Sequence, residues 1–233
     1  MPLRIDSECR KDNADTAVRF VLRYFKTTFI VLEGDIIRKH YPGFKHKEFY
    51  YKYLNDRRKH FWKTWYIRKL IEMVDTPFIA VWDADVIVPA EQIMNSTEVI
   101  RSGGSLLSIP YDGRVYKCDE SLSDMFRRTP RIEILKKLMP ALPLMYGYNS
   151  PGGAFMTDKE KYIELGGENL NFKSWGPEDT ERIKRFEVLN LPVHRSEGPL
   201  FHLWHPRGQN SWYANRDEEI SNRRELIRTC QKT

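Results

Sequence analysis

The chain has 233 residues with 38 Lys/Arg against 32 Asp/Glu, a net charge of +6, and is 41% hydrophobic and 30% charged. That balance fits a soluble globular protein of one domain (1–233), with enough core to need no disulfides. No run of about 18 apolar residues occurs, which excludes a membrane-spanning helix.

Leu3-Arg4-Ile5-Asp6 reads as the end of a strand running into a loop. Residues 15–25 read as a helix, with Ala17, Phe20, Val21 and Tyr24 at the helical period and Asn13 or Asp15 as its cap. Thr28-Phe29-Ile30-Val31-Leu32 is a buried strand, and strand–helix–strand in that order predicts a parallel α/β sheet. Residues 48–74 are expected to be helical, ending before Asp75-Thr76-Pro77. Phe78-Ile79-Ala80-Val81-Trp82 is a second buried strand, followed by a helix over 90–101 and a strand over 105–110. Beyond these come a helix over 133–138, a loop over 147–153 and a strand over 154–156. Helices over 158–165 and 178–189 follow, then one or two strands within 193–203. The last segment, 214–233, is expected to carry a peripheral C-terminal helix.

Cys9, Cys118 and Cys230 are too few and too scattered for a disulfide framework or a zinc cluster. With an N-terminus, Met1-Pro2-Leu3-Arg4, that lacks the apolar core of a signal peptide, they point to a reducing, cytoplasmic setting. Charge is unevenly placed. Residues 38–69 hold 11 Lys/Arg against Glu48 and Asp56, so the rest of the chain is slightly acidic. Such a block suits nucleic acid, a phosphorylated ligand, an anionic membrane surface or simply a solvated face.

Three motifs carry chemistry. Asp83-Ala84-Asp85 stands at the end of an apolar strand, where ligands bind in open α/β sheets. Two carboxylates there can hold Mg²⁺ or Mn²⁺ shared with substrate phosphates, the alternative being a solvated turn. Trp175-Gly176-Pro177-Glu178-Asp179 places two carboxylates at a helix start. A base is needed to take a proton from an attacking hydroxyl, and the helix dipole would keep such a carboxylate ionised. His202-Leu203-Trp204-His205 lies between Pro199 and Pro206, so an extended backbone is expected to send the two imidazoles to opposite faces. One histidine is then expected as a metal ligand, and imidazole favours Mn²⁺ over Mg²⁺.

Together these motifs resemble the GT-A glycosyltransferases, in particular the group of β-galactosyltransferases, polypeptide N-acetylgalactosaminyltransferases and bacterial chondroitin-type polymerases. The resemblance implies an α/β fold with a mixed, mostly parallel sheet flanked by helices. Pro2-Leu3-Arg4 is similar to the family's nucleotide-contacting first loop, and Phe61 to Arg68 to the wall of its base pocket. Asp83-Ala84-Asp85 matches the D-x-D motif, Gly152-Gly153 the strand start under the donor sugar, and Trp175 to Asp179 the W-G-x-E-D motif, with Pro177 where glycine is common. His202 resembles the downstream metal ligand.

What this implies is an inverting transferase using a UDP-sugar and Mn²⁺ (or Mg²⁺). Asp179 is the base, because the retaining relatives carry an amide there, and Glu178 orients a sugar. Asp85 and His202 hold the metal, with Asp83 and His205 as lesser candidates. Pro2, Arg4, Asp6, Glu33, Phe61, Asp83, Asp85, Gly153 and Trp175 bind the nucleotide-sugar, and Arg207 assists at phosphate. A glycan or lipid-linked glycan is the expected acceptor, as in bacterial surface-polysaccharide synthesis. Residues 38–69 are then expected to face an anionic membrane or a lipid-linked diphosphate acceptor rather than nucleic acid, with at least half of their aromatics simply packing on a sheet. A nucleotidyltransferase, a sugar-nucleotide hydrolase, a basic nucleic-acid-binding protein and an inactive scaffold are the competing readings.

Overall fold

The computed structural model describes residues 1–232. In chain order its strands and helices are β1 (Pro2–Leu3), α1 (Glu8–Tyr24), β2 (Phe29–Asp35), β3 (Phe49–Asn55), α2 (Lys63–Glu72), β4 (Phe78–Trp82), β5 (Val86–Ile87), α3 (Ala90–Arg101), β6 (Leu107–Ile109), β7 (Val115–Lys117), α4 (Glu120–Arg128), α5 (Ile132–Leu138), β8 (Ala154–Asp158), α6 (Lys159–Glu164), α7 (Glu178–Val188), β9 (Val193–Arg195), β10 (Leu200–His202) and α8 (Arg216–Cys230). Short 3₁₀ turns lie at Met139–Ala141 and Gln209–Ser211.

The mixed sheet is divided into three. β1, β2 and β3 pair in parallel, with Pro2 opposite Leu32 and Phe29 opposite Phe49. In the order β4-β8-β6-β9, the antiparallel β8 lies between β4 and β6, and β9 joins β6 in parallel. β10 lies between an antiparallel β5 and a parallel β7.

Helices cover both faces of the β4-β8-β6-β9 sheet, as its apolar strands require. On one side Ile79, Val81, Leu107 and Phe155 meet Ile67 and Ile71 of α2, Tyr162 of α6 and Phe186 of α7. On the other, Trp82, Ile109 and Met156 join a larger core with Phe20, Ile93, Phe126 and Phe201. Among the described residues no helix is long and apolar enough to cross a membrane.

Several local expectations change. α1 starts earlier than 15, because Ser7 caps it by accepting from the Arg10 amide at 3.2 Å. Asn13, expected as a cap, lies fully buried inside the helix, where it donates to the Trp204 carbonyl. The first part of 48–74 is the edge strand β3, not helix. Its aromatics alternate, half-buried Phe49, Tyr51 and Tyr53 against exposed Tyr50, Lys52 and Leu54, which is the period of a strand. Helix begins only at Lys63. β5, β7 and α4 were not expected; α4 is capped by Asp119, which accepts from the Leu122 amide at 2.8 Å. The C-terminal α8 lies along α7, buries Asn222, Glu225 and Thr229, and donates from Thr229 to buried Glu181.

Candidate active site

A cavity of about 690 Å³ opens at the carboxyl ends of β1 and β4, lined at one end by Asp85, His202 and His205 and at the other by Glu178 and Asp179. The first end is built at the turn after β4. β4 stops at Trp82, and after Asp83-Ala84-Asp85 the chain continues as β5, whose Val86 pairs with His202 of β10. The Leu203 amide donates to the Asp85 carbonyl at 2.8 Å and fixes the register. Asp85 Oδ1 then lies 3.6 Å from His202 Nε2, and Oδ2 lies 3.2 Å from His205 Nε2.

Donor atoms of the three residues all fall within 4.8 Å of one another. The expectation that the imidazoles would diverge is therefore corrected. β10 ends at His202, so strand alternation does not govern His205. Arg10 completes the cluster, with Nη1 3.2 Å from Asp85 Oδ2 and Nη2 3.2 Å from His205 Nδ1. Burial by itself would raise the Asp85 carboxyl, but His202, His205 and Arg10 outweigh it and hold the group well below the usual carboxylate range. Burial lowers His202, only partly opposed by Asp85.

At the other end, the start of α7 presents Glu178 and Asp179 beside the loop before β8. A Cβ on Gly152 would fall 2.5 Å from Asp179 Oδ2, so only glycine allows this approach. Gly153 has φ +96°, a left-handed conformation, and its carbonyl accepts from the Asp83 amide at 2.8 Å. Lys63, the first residue of α2, reaches across the cavity. Its Nζ is 3.0 Å from Asp83 Oδ2, 3.2 Å from Asp179 Oδ2 and 3.4 Å from Glu178 Oε1.

Arg182, one turn along α7, donates to Asp179 Oδ1 at 2.6 Å and binds both oxygens of buried Glu168 at 3.0 Å. Burial opposes ionisation of Asp179, yet Lys63 and Arg182 keep it below its ordinary value. Glu178 behaves oppositely. Burial and then repulsion from Asp179 outweigh Lys63 and push it up to about 8, and its Oε2 has no hydrogen-bond partner. The helix dipole thus does not keep Glu178 ionised, since loss of water costs more than the dipole returns. Asp83 is also raised by burial, against the attraction of Lys63.

Pro2, Arg4, Phe61, Asp83, Asp85, Gly153, Trp175, Glu178, Asp179, His202, His205 and Arg207 all line the cavity. Two expected residues do not. Glu33 is fully buried and accepts from the Lys39 and His40 amides and the Tyr51 hydroxyl, so it orders a loop. Asp6 pairs with Arg10 at 2.8 Å. Arg4 lines the wall but is committed to the protein: it donates to the Gly34 carbonyl at 2.7 Å and pairs with Asp56 at 2.9 Å, not with Asp6 or Glu33. Trp175 has one face against Trp212, centroids 5.0 Å apart. Its loop is held by α8, where Asn222 donates to the Lys173 and Trp175 carbonyls.

Arg10, Lys63 and Arg182 were not singled out from sequence. The i, i+4 spacing of Asp6 and Arg10 and the i, i+3 spacing of Asp179 and Arg182 hinted at two of them.

Residues 134–206 match the galactosyltransferase family whose description reads "N-terminal domain of galactosyltransferase". No curated protein matches the chain. Among solved structures it is similar to GalNAc-T7 with UDP, GalNAc and Mn²⁺, with a TM-score of 0.58 and 11% identity over 91% of this chain and 44% of that one. It is also similar to the mannosyltransferase PcManGT from Pyrobaculum calidifontis in complex with GDP-Man and Mn²⁺, with a TM-score of 0.53 and 10% identity over 89% of this chain and 56% of that one. The chain thus spans about half the length of these structures. It has their GT-A fold, and with the family match it resembles the galactosyl- and N-acetylgalactosaminyltransferase group.

Proposed function

We propose that this chain, built on the GT-A glycosyltransferase fold, transfers a hexose or N-acetylhexosamine from a nucleoside-diphosphate donor, UDP in preference to GDP, to an acceptor hydroxyl with inversion. The observation that carries this reading is one cavity with a carboxylate–imidazole cluster at one end and an ionised, cation-held carboxylate at the other. Asp85, His202 and His205 form a donor set that suits a divalent cation, Mn²⁺ more than Mg²⁺ because of the two imidazoles. Held there, the ion would supply positive charge to the departing diphosphate.

The rest is work for the chain itself. Asp179, ionised at neutral pH, takes the proton of the acceptor hydroxyl as that oxygen attacks the anomeric carbon, and the nucleoside diphosphate leaves with the bonding electrons. Arg182 fixes Oδ1, so Oδ2, now shared with Lys63, is the oxygen that meets the hydroxyl. Glu178, largely protonated near pH 7, donates a hydrogen bond to a sugar hydroxyl or ring substituent. Phe61 and Pro2 wall the nucleotide end, and Trp175, held against Trp212 and Tyr213, packs on sugar. A glycan or lipid-linked glycan is the acceptor we infer, in surface-polysaccharide assembly.

Calorimetric titration with UDP, with and without Mn²⁺, tests the reading on wild type and Asp85→Ala. Mn²⁺-dependent binding that the variant loses supports it, and silence toward both UDP and GDP sinks it. Donor cleavage without acceptor, as fast as transfer, would instead favour a sugar-nucleotide hydrolase.

A further inference from the structure

The turn after β2 exposes two adjacent isoleucines, Ile36 at 59% and Ile37 at 64%. They are held out rather than left loose. The Ile36 amide donates to Asp35 Oδ1 at 2.8 Å, and its carbonyl accepts from the Tyr53 hydroxyl and the Asn55 amide group. Beyond them, the Lys39 and His40 amides are tied to buried Glu33. With the chain tied to the protein before and after them, both isoleucines project to solvent. Exposed Leu54 at the end of neighbouring β3 adds to the apolar surface, and Tyr41 adds an amphipathic ring.

Cations rim this surface. Arg38, Lys52, Arg57 and Lys59 are all exposed, whereas the nearby acids are spent: Asp35 pairs with Lys39, and Asp56 is buried against Arg4 and Arg58. The surface adjoins the cavity, because Arg4, which lines it, is bonded to the Gly34 carbonyl and to Asp56.

We propose that this turn, with Leu54 and its rim of cations, docks the protein on an anionic phospholipid surface and brings the cavity mouth to the bilayer. Isoleucines enter the headgroup–acyl boundary while Lys and Arg meet phosphates. Aliphatic side chains at the centre favour a bilayer over nucleic acid, whose bases stack on aromatic faces. Docking is independent of the transferase reading, since it requires no donor.

Co-sedimentation with vesicles tests it, using phosphatidylcholine alone and phosphatidylcholine with about a third phosphatidylglycerol. Wild type is expected to pellet with the anionic vesicles only. The Ile36→Ser/Ile37→Ser variant, melting as wild type does, should bind about tenfold or more weakly, and Lys52→Glu or Arg57→Glu about fivefold or more weakly. An Ile37→Trp variant should show a blue-shifted emission with anionic vesicles. Failure of wild type to pellet, serine variants that pellet equally, or an unshifted tryptophan would overturn the proposal. So would tight RNA or DNA binding with a steep salt dependence that ignores the isoleucines. UDP binding, followed in parallel, separates this outcome from failure of the donor site.

Discussion

The two ends of the cavity use the same ingredients, buried carboxylates facing cations, but one holds a single ionised carboxylate and the other sets an ionised carboxylate beside a raised one. Asp85 has Arg10 and two imidazoles around a single carboxylate, and it is held ionised far below its usual range. At the other end Lys63 is shared among Asp83, Glu178 and Asp179. Arg182 pairs directly with Asp179 and not with Glu178, so Asp179 stays ionised while burial and then repulsion from Asp179 push Glu178 up to about 8. What separates Glu178 from Asp179 is deeper burial together with the direct pairing of Arg182 to Asp179. Paired titratable groups driven apart in this way are what acid–base chemistry needs near neutral pH.

That contrast can be broken at either end. Asp179→Asn keeps the shape but removes the proposed base, so kcat is expected to fall by about 10²–10⁴ with UDP affinity preserved. Single-turnover transfer beside calorimetry measures both, and an active asparagine variant would remove the base from Asp179. Arg182→Met leaves buried Glu168 and Asp179 without their shared cation, and should cost about 3–5 kcal/mol of stability. Urea unfolding reads this directly, and a loss below 1 kcal/mol would show that Lys63 alone can hold the acid end. His205→Ala should weaken Mn²⁺-dependent UDP binding by about tenfold. An unchanged metal dependence would return His205 to a purely structural place beside Asp85.

The mildest effect concerns Glu178. Its folded-state carboxyl lies above its unfolded value, so the stability tied to its proton is complete in acid and lost as pH rises through about 8. Glu178→Gln cannot ionise. Its melting temperature should match wild type near about pH 4 and exceed it increasingly toward about pH 9. Parallel melting curves across that range would mean that Glu178 ionises as an ordinary carboxylate.

Much of this site was legible because its motifs are local. Apolar Phe78–Trp82 followed by Asp83-Ala84-Asp85 announces a strand end with carboxylates, and Gly152-Gly153 announces a close backbone approach. The helical reading of 48–55 failed for a similarly local reason. Phe49, Tyr50, Tyr51 and Tyr53 satisfy a helix pattern and a strand pattern alike, and only the parallel ladder with β2 chooses between them.

The sequence by itself determined the carboxylates and histidines, their order, and the apolar runs that become β2, β4 and β8. Tertiary structure alone decided which cation meets which acid. Lys63 lies 116 residues from Asp179 in the chain, and Arg10 lies 75 from Asp85. Arg4, expected to grip a nucleotide, lines the cavity with its guanidinium paired to Asp56 and the Gly34 carbonyl. His205 joined Asp85 because β10 ended one turn of chain earlier. Such pairings depend on distances that folding sets, and no spacing along the chain encodes them.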